Sequence, residues 1–111
     1  MKLDSIKNPT KDKYEIKIIA PELTFLGVKN QPDFAELEIV MYPSDTVIEL
    51  KSLKYYLYEF RNKIISYEKL INVIYSDIMN KYRPERIILT MKFRPRGGIS
   101  SIIKIDSEWR R

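Results

Sequence analysis

The sequence contains neither cysteine nor histidine among its 111 residues. Without cysteine there is no disulfide and no thiolate nucleophile, and without histidine there is no imidazole base. A zinc site would have to use carboxylates alone, which is unusual. Any catalysis is therefore left to carboxylate, amine, hydroxyl, phenol or guanidinium groups.

Long apolar segments are also absent. No stretch approaches the roughly 18 apolar residues that a membrane-spanning helix needs, so no membrane partner is expected. The N-terminal segment MKLDSIKNPTKDKYEIK is polar throughout and lacks the apolar core of a signal peptide. This pattern predicts a cytoplasmic protein.

The composition that remains is that of a globular domain. Hydrophobic residues make up 44% of the chain and charged residues 32%, and the length suits one domain with a real core. The formal net charge is +5. A positive balance favours anionic partners such as nucleotide phosphates or RNA.

The first part of the chain is interpreted as a polar arm followed by two strands. Residues 1–12 show no periodicity and predict a flexible N-terminal arm ahead of a single domain at 13–111. Apolar and polar residues alternate at 14–18 and again at 35–39, the two-residue period of half-buried strands, and the second strand is expected to run to about Tyr42. Pro21 predicts the end of the first strand, and residues 22–33 predict a long irregular connection.

Two helices and two further strands follow. Apolar residues spaced by three and four predict the first helix: Leu50, Leu53, Leu57 and Phe60. Ser66 is a good N-cap for the second helix, which Pro84 ends. Residues 86–93 and 99–106 predict two strands joined by a loop with two glycines.

The predicted order is strand, strand, helix, helix, strand, strand. The simplest packing is an α+β domain, with a four-stranded, largely antiparallel sheet and both helices on one face. Such a sheet leaves its edge strands bare, and oligomerisation into a closed ring would remove those edges.

The first candidate site residues lie on the first predicted helix. Lys51 and Lys54 are one turn apart on the same face, next to Glu49. Two close ammonium groups suit an anion such as a nucleotide phosphate, but a solvated helix surface gives the same pattern. Asp33 is either a turn residue that bonds its own backbone or a general acid.

Further candidates lie beyond the first helix. Glu68 complements the dipole of the second helix, or accepts two N–H bonds from the edge of a guanine-like ring. Arg94 and Arg96 precede Gly97-Gly98 and suit either a phosphate site or a solvated loop. The tyrosines at 55, 56 and 58 suit either packing or stacking on a base.

Three motifs together resemble one family. ELKSLKYY at 49–56, QPDF at 31–34 and FRPRGGIS at 93–100 are similar to motifs of the NADPH-dependent 7-cyano-7-deazaguanine reductases (QueF), the nitrile reductases of queuosine synthesis. The similarity covers residues 22 to 101, with the motifs in the family's order.

The resemblance implies a fold, an assembly and a set of roles. The fold would be the tunnelling fold, whose subunits join edge to edge into a ring-shaped barrel, often two stacked pentamers. A purine-like ligand would lie at subunit interfaces, held by Glu68 and its neighbour Tyr67, with Asp33 as proton donor. NADPH would be held by a set of residues from two motifs: Glu49, Lys51, Ser52, Lys54, Arg94 and Arg96.

The chain departs from the family at its nucleophile. The family has a cysteine seven residues before the aspartate, followed by proline; Leu26 and Gly27 stand in these places. Tyr67 stands where the family usually has histidine. The family's cysteine attacks the nitrile carbon to give a thioimide, and a leucine side chain has no lone pair with which to do so.

Three functional hypotheses follow. The first is an enzyme of 7-deazaguanine metabolism, in queuosine or archaeosine tRNA modification, that acts on the free base or on tRNA by a cysteine-free route. The second is a non-catalytic ring protein that binds a purine, a pterin or RNA. The third is another tunnelling-fold reaction, such as one at an aldolase-like lysine; the zinc-dependent pterin enzymes are disfavoured because histidine and cysteine are absent.

Overall fold

The computed structural model describes residues 2–111. Its regular elements, in chain order, are the strands β1 (Ser5–Lys7), β2 (Ile16–Leu26), β3 (Pro32–Tyr42) and β4 (Thr46–Ile48), the helices α1 (Leu50–Tyr58) and α2 (Tyr67–Tyr82), and the strands β5 (Arg86–Arg96) and β6 (Ile99–Asp106). Short 3-10 helices follow α1 at Glu59–Asn62 and β6 at Ser107–Arg110.

The main sheet has the strand order β2-β3-β5-β6, and every neighbouring pair is antiparallel. Alternate residues of β3 and β5 are buried, so one face of the sheet carries the core. Both helices contribute to that core, with Leu53 and Leu57 from α1 and Ile71 and Ile74 from α2. The predicted α+β arrangement is confirmed.

The N-terminal segment differs from the flexible arm predicted for residues 1–12, of which Met1 lies outside the described residues. Strand β1 pairs with β4, aligning Ser5 with Ile48, and Leu3 is buried in the core. The hydroxyl of Tyr82 donates to the Asp4 carbonyl at 2.6 Å. A three-residue strand is too short to show a period, and its partner lies about forty residues further along the chain, so no sequence pattern indicates this pairing.

Strand β2 continues through Pro21 and is longer than predicted. Its register shifts between Ala20, opposite Leu37, and Leu23, opposite Ala35. This bulge lets β2 accommodate a proline, as an edge strand can. The prediction of an irregular connection at residues 22–33 is therefore wrong, and a turn between Leu26 and Pro32 joins β2 to β3.

Both helix starts are fixed by side-chain caps. The predicted cap Ser66 accepts from the Lys69 backbone N–H at 3.2 Å, and Glu49 caps α1 in the same way. Among residues 2–111, no helix is long and apolar enough to cross a membrane.

Candidate functional site

A pocket of about 400 Å³ opens where the β2–β3 turn meets the N-terminus of α2. This volume lies within the range of about 300–1,000 Å³ that is usual for small-molecule sites. Three separate chain segments line it: the turn (Gly27, Val28, Lys29, Gln31, Asp33), the start of α2 (Ile65, Ser66, Tyr67, Glu68) and the end of β5 (Arg96).

The Asp33 side chain is the buried polar group of this pocket, with only 6% of its surface exposed. One oxygen, Oδ1, accepts the backbone N–H of Phe34 at 2.8 Å. The other, Oδ2, accepts the Tyr67 hydroxyl at 2.5 Å and lies 3.5 Å from Nε of Arg96. Each of these neighbours offers a donor, so the carboxylate is held as an acceptor.

Tyr67 joins the pocket to the aromatic core. Its ring stacks on Phe93, with centroids 3.9 Å apart and planes 7° apart, and meets the edge of Phe25 at 5.8 Å. Burial, followed by the hydrogen bond to Asp33, raises the pKa of Tyr67. The hydroxyl therefore keeps its proton at neutral pH and remains the donor of that bond.

Glu68 lies at the exposed rim of the pocket, in the first turn of α2. Its backbone carbonyl accepts from the Asn72 amide, but its carboxylate has no hydrogen-bond or ion-pair partner within residues 2–111. A carboxylate whose oxygens accept no other hydrogen bond can accept two parallel N–H bonds from a ligand.

Leu26 does not line the pocket but adjoins it. Its side chain is half-buried, and its backbone is fixed by the Lys63 carbonyl and the Ile65 N–H, both at 3.0 Å. The next residue, Gly27, does line the pocket, and a Cβ atom placed on it would lie 3.8 Å from Asp33 Oδ2. Position 26 is therefore one residue from the end of the pocket that Asp33 occupies.

The two arginines of the β5–β6 hairpin have different surroundings. Arg96, predicted as a cofactor residue, lines the pocket and hydrogen-bonds the Pro32 carbonyl. Arg94 pairs with Glu22 at 2.9 Å and lies over the Phe34 ring. Arg94 is not among the residues that line the pocket.

In the α1 signature, two of the predicted cofactor residues are engaged in structural contacts. The Glu49 carboxylate accepts the backbone N–H groups of Lys51 at 2.7 Å and Ser52 at 2.9 Å. The buried Ser52 hydroxyl donates to the Glu49 carbonyl at 2.7 Å and accepts the Asp4 N–H at 2.9 Å. These bonds fix the start of the helix and fasten the N-terminal segment to it.

Lys51 and Lys54 lie on the exposed face of α1. Within residues 2–111 neither ammonium group has a carboxylate within ion-pair distance, and Lys54 lies 5.7 Å from the Tyr55 ring. A groove of about 350 Å³ runs beside Lys54, between α1 and β2. Its walls are largely apolar, with Leu50, Leu53 and Ile19 among them.

Sequence reasoning missed Val28 and Lys29 of the β2–β3 turn as pocket lining. The QPDF motif contained Gln31 but gave no sign that Val28 and Lys29 also face the pocket. The link between Tyr67 and Asp33 was also missed. Nothing in a pair separated by 34 positions indicates a contact before the fold is known.

The fold and the pocket together define a small α+β protein of the tunnelling-fold class. A family model described as "QueF-like protein" matches residues 32–111, which is most of the chain. The chain belongs to this QueF-like family.

Curated relatives agree with this assignment. The chain is 40% identical over 96 residues to the NADPH-dependent 7-cyano-7-deazaguanine reductase of Nitratiruptor sp., covering 86% of this chain and 73% of that protein. It is 41% identical over 112 residues to the protein of the same name from Prochlorococcus marinus strain MIT 9312, covering 99% and 82%. It is 41% identical over 96 residues to the protein of the same name from Wolinella succinogenes, covering 86% of this chain and 77% of that protein.

A solved structure supports the fold. The archaeosine synthase QueF-Like in its apo form superposes with a TM-score of 0.77, covering 83% of this chain and 91% of that chain. The sequence identity is 14%, so this similarity shows the fold alone.

Proposed function

We propose that this protein binds 7-cyano-7-deazaguanine or a related 7-deazaguanine base in the Asp33–Glu68 pocket, and does so without forming a thioimide. The observation that carries the proposal is the convergence of Asp33, Tyr67 and Glu68 on one cavity of about 400 Å³. The names of the relatives support the choice of ligand.

The roles follow from the contacts. The open carboxylate of Glu68 anchors the N–H edge of the base, and the half-buried ring of Tyr67 supplies a flat apolar surface beside it. We assign Asp33, the proton donor by resemblance, to the 7-substituent of the base, because it lies at the end of the pocket next to position 26.

The covalent step is excluded by chemistry. Thioimide formation needs a thiolate, and the chain has no cysteine. Leu26 offers only hydrocarbon at the position of the family's nucleophile. Binding in this pocket is therefore reversible, and any reduction would need a non-covalent route.

NADPH fits part of its expected site. Lys51 and Lys54 are exposed cations with no carboxylate partner in the described part of the chain, which suits phosphate groups, and the largely apolar groove beside Lys54 suits a ring. When bound, NADPH supplies a hydride. Glu49 and Ser52 support this site by fixing the helix, since their polar groups are already engaged within the chain.

We propose that the protein works as a ring-shaped homo-oligomer, either a pentamer or a decamer, with the base bound at subunit interfaces. We also propose that it is located in the cytoplasm. The edge strands β2 and β6 carry exposed Ile19 and Ile102. Apolar side chains on open edges favour pairing with further copies. A 7-deazaguanine base carried within tRNA is an alternative ligand to the free base. Sedimentation velocity of the protein alone measures the size of the assembly, and the same experiment with added tRNA tests whether tRNA binds.

The direct experiment is calorimetric titration of the full chain with 7-cyano-7-deazaguanine, alongside NADPH absorbance. Saturable binding that Glu68→Gln weakens at least about tenfold supports the proposal, since a lost charged hydrogen bond costs that much. Glu85→Gln is the matched control, because Glu85 is exposed and does not line the pocket. Absence of binding would refute the proposal, while NADPH oxidation would show a non-covalent reduction.

A further inference from the structure

The first turn of α1 has little apolar packing to hold it in place. Leu50, the first residue of the helix, is 60% exposed, and burial along the helix begins only at Ser52 and Leu53. The ends of helices fray unless other contacts fix them. Lys51 and Lys54 therefore lie on or beside a turn whose position depends on polar contacts.

Asp4 supplies these contacts with its backbone. Its N–H donates to the Ser52 hydroxyl oxygen at 2.9 Å, and its carbonyl accepts the Glu49 N–H at 3.2 Å. The same carbonyl accepts the hydroxyl of Tyr82, in the last turn of α2, at 2.6 Å. The Ser52 hydroxyl in turn donates to the Glu49 carbonyl at 2.7 Å. These hydrogen bonds between Tyr82, Asp4, Ser52 and Glu49 are named the Asp4 clip.

Tyr82 attaches the Asp4 clip to the core. The residue is only 3% exposed, and burial raises the pKa of Tyr82 to about 12, so the hydroxyl keeps its proton and remains the donor. The residues on both sides of Asp4 are also held, by burial of Leu3 and by the pairing of β1 with β4. The clip thus connects the end of α2 to the start of α1 through the N-terminal segment.

The charges at the start of α1 make the position of the lysines important. Two carboxylates lie at the same end of the helix: that of Glu49 accepts the N–H groups of Lys51 and Ser52, and Asp4 is exposed. An anion here is attracted by the ammonium groups of the lysines and repelled by these carboxylates. Because both terms depend on distance, a small shift of the first turn changes their balance.

We propose that Tyr82 is a positioning residue for the phosphate groups of NADPH, acting through the Asp4 clip on Lys51 and Lys54. The proposal rests on the NADPH site of the proposed function and extends it to the N-terminal segment and the end of α2. Tyr82 itself is buried and does not line the groove beside Lys54, so its effect on NADPH is indirect.

The test is calorimetric titration of the full chain with NADPH and, separately, with 7-cyano-7-deazaguanine. Tyr82→Phe removes the hydroxyl and keeps the ring in the core. We expect NADPH to bind at least about threefold more weakly, as for other substitutions that act at a distance, and the affinity for the base to stay unchanged. A merely structural role would lower stability without separating the two affinities.

Hydrogen exchange gives a second measurement that needs no cofactor. The Leu53 N–H donates to the Glu49 carbonyl at 3.2 Å, the carbonyl to which the Ser52 hydroxyl also donates. This amide should be protected in the wild-type chain and exchange faster in Tyr82→Phe. An unprotected amide in the wild type would overturn the proposal whether or not the variants fold.

Ser52→Ala opens the clip at its other end and allows a double-mutant test. If both residues act through Asp4, Tyr82→Phe should add little to the loss of NADPH affinity caused by Ser52→Ala. Losses that multiply in the double variant would overturn the proposal, since they would show that the two hydroxyl groups act independently.

The chain provides a matched control for loss of a buried serine hydroxyl. Ser107, in the 3-10 helix after β6, accepts the Ile87 N–H at 2.9 Å, the same kind of bond that Ser52 makes with Asp4. Ser107→Ala should leave the affinity for NADPH unchanged. Thermal unfolding followed by circular dichroism identifies the variants that fold cooperatively.

The outcomes separate this proposal from the proposed function. If the wild-type chain binds NADPH and neither Tyr82→Phe nor Ser52→Ala weakens that binding, the positioning role is overturned and the NADPH site stands. If the wild-type chain binds no NADPH, the cofactor site fails and this inference fails with it, while the titration with the base tests the rest of the proposed function.

Discussion

The hydroxyl of Tyr67 lies 2.5 Å from Oδ2 of Asp33, joining the first turn of α2 to the start of β3. The bond lies at the pocket, and it connects a residue of the QPDF motif to the neighbour of Glu68.

Loss of the Tyr67 hydroxyl should destabilise the fold. Tyr67→Phe keeps the ring on Phe93 but leaves the buried carboxylate of Asp33 without one of its donors. The expected decrease in the free energy of unfolding is about 1–3 kcal/mol, measured by urea titration. Tyr58→Phe is the control, since Tyr58 is 55% exposed; an equal effect of both changes would contradict the role of the bond.

Glu49 should contribute to stability rather than bind NADPH. Its carboxylate accepts two backbone N–H groups at the start of α1, so Glu49→Ala is expected to cost about 0.5–2 kcal/mol of unfolding free energy. Lys51→Ala should leave stability nearly unchanged and weaken NADPH binding. If Glu49→Ala left the urea midpoint unchanged, the cap would have no energetic role.

Restoring the nucleophile tests whether position 26 reaches the ligand. Leu26→Cys incubated with 7-cyano-7-deazaguanine should give a covalent adduct visible by mass spectrometry, while Ile19→Cys on the exposed part of β2 should not. Gly27→Pro is better left out, because the Gly27 N–H donates to the Gln31 carbonyl at 2.7 Å and proline has no N–H. If the base binds to the Leu26→Cys variant and no adduct forms, the 7-substituent does not lie at position 26.

Acid sensitivity should arise partly from Asp106. The hydrogen bond from Arg86, at 2.7 Å, lowers the pKa of this carboxyl below its usual value of about 4. A group whose pKa is lower in the folded state stabilises the fold above the unfolded value and loses that effect as pH falls. Urea unfolding from neutral pH to below about 4 should show this loss in the wild type and less of it in Asp106→Asn. Identical pH profiles would contradict the assignment.

The sequence predicted the framework because its patterns are local. The period of Leu50, Leu53 and Leu57 and the cap Ser66 identified both helices without any tertiary information. The boundaries that failed depend on tertiary structure. Pro21 ends a strand by propensity, but at an edge a bulge accommodates it.

The site was predicted only in part, for a similar reason. The motifs identified Asp33 and Arg96, the resemblance added Glu68, and the structure brings all three to one pocket. They did not separate Glu49 and Ser52, whose side chains hydrogen-bond the backbone, from Lys51 and Lys54, whose ammonium groups have no carboxylate partner within residues 2–111. That distinction depends on the distances between atoms, which a residue pattern does not contain.

The measurement closest to the central claim is calorimetric titration of the wild-type chain with a 7-deazaguanine base, followed by mass spectrometry of the same sample. We predict saturable binding that Glu68→Gln weakens, with the protein mass unchanged. No heat of binding at any base concentration, or a covalent adduct on the wild-type chain, would contradict the account.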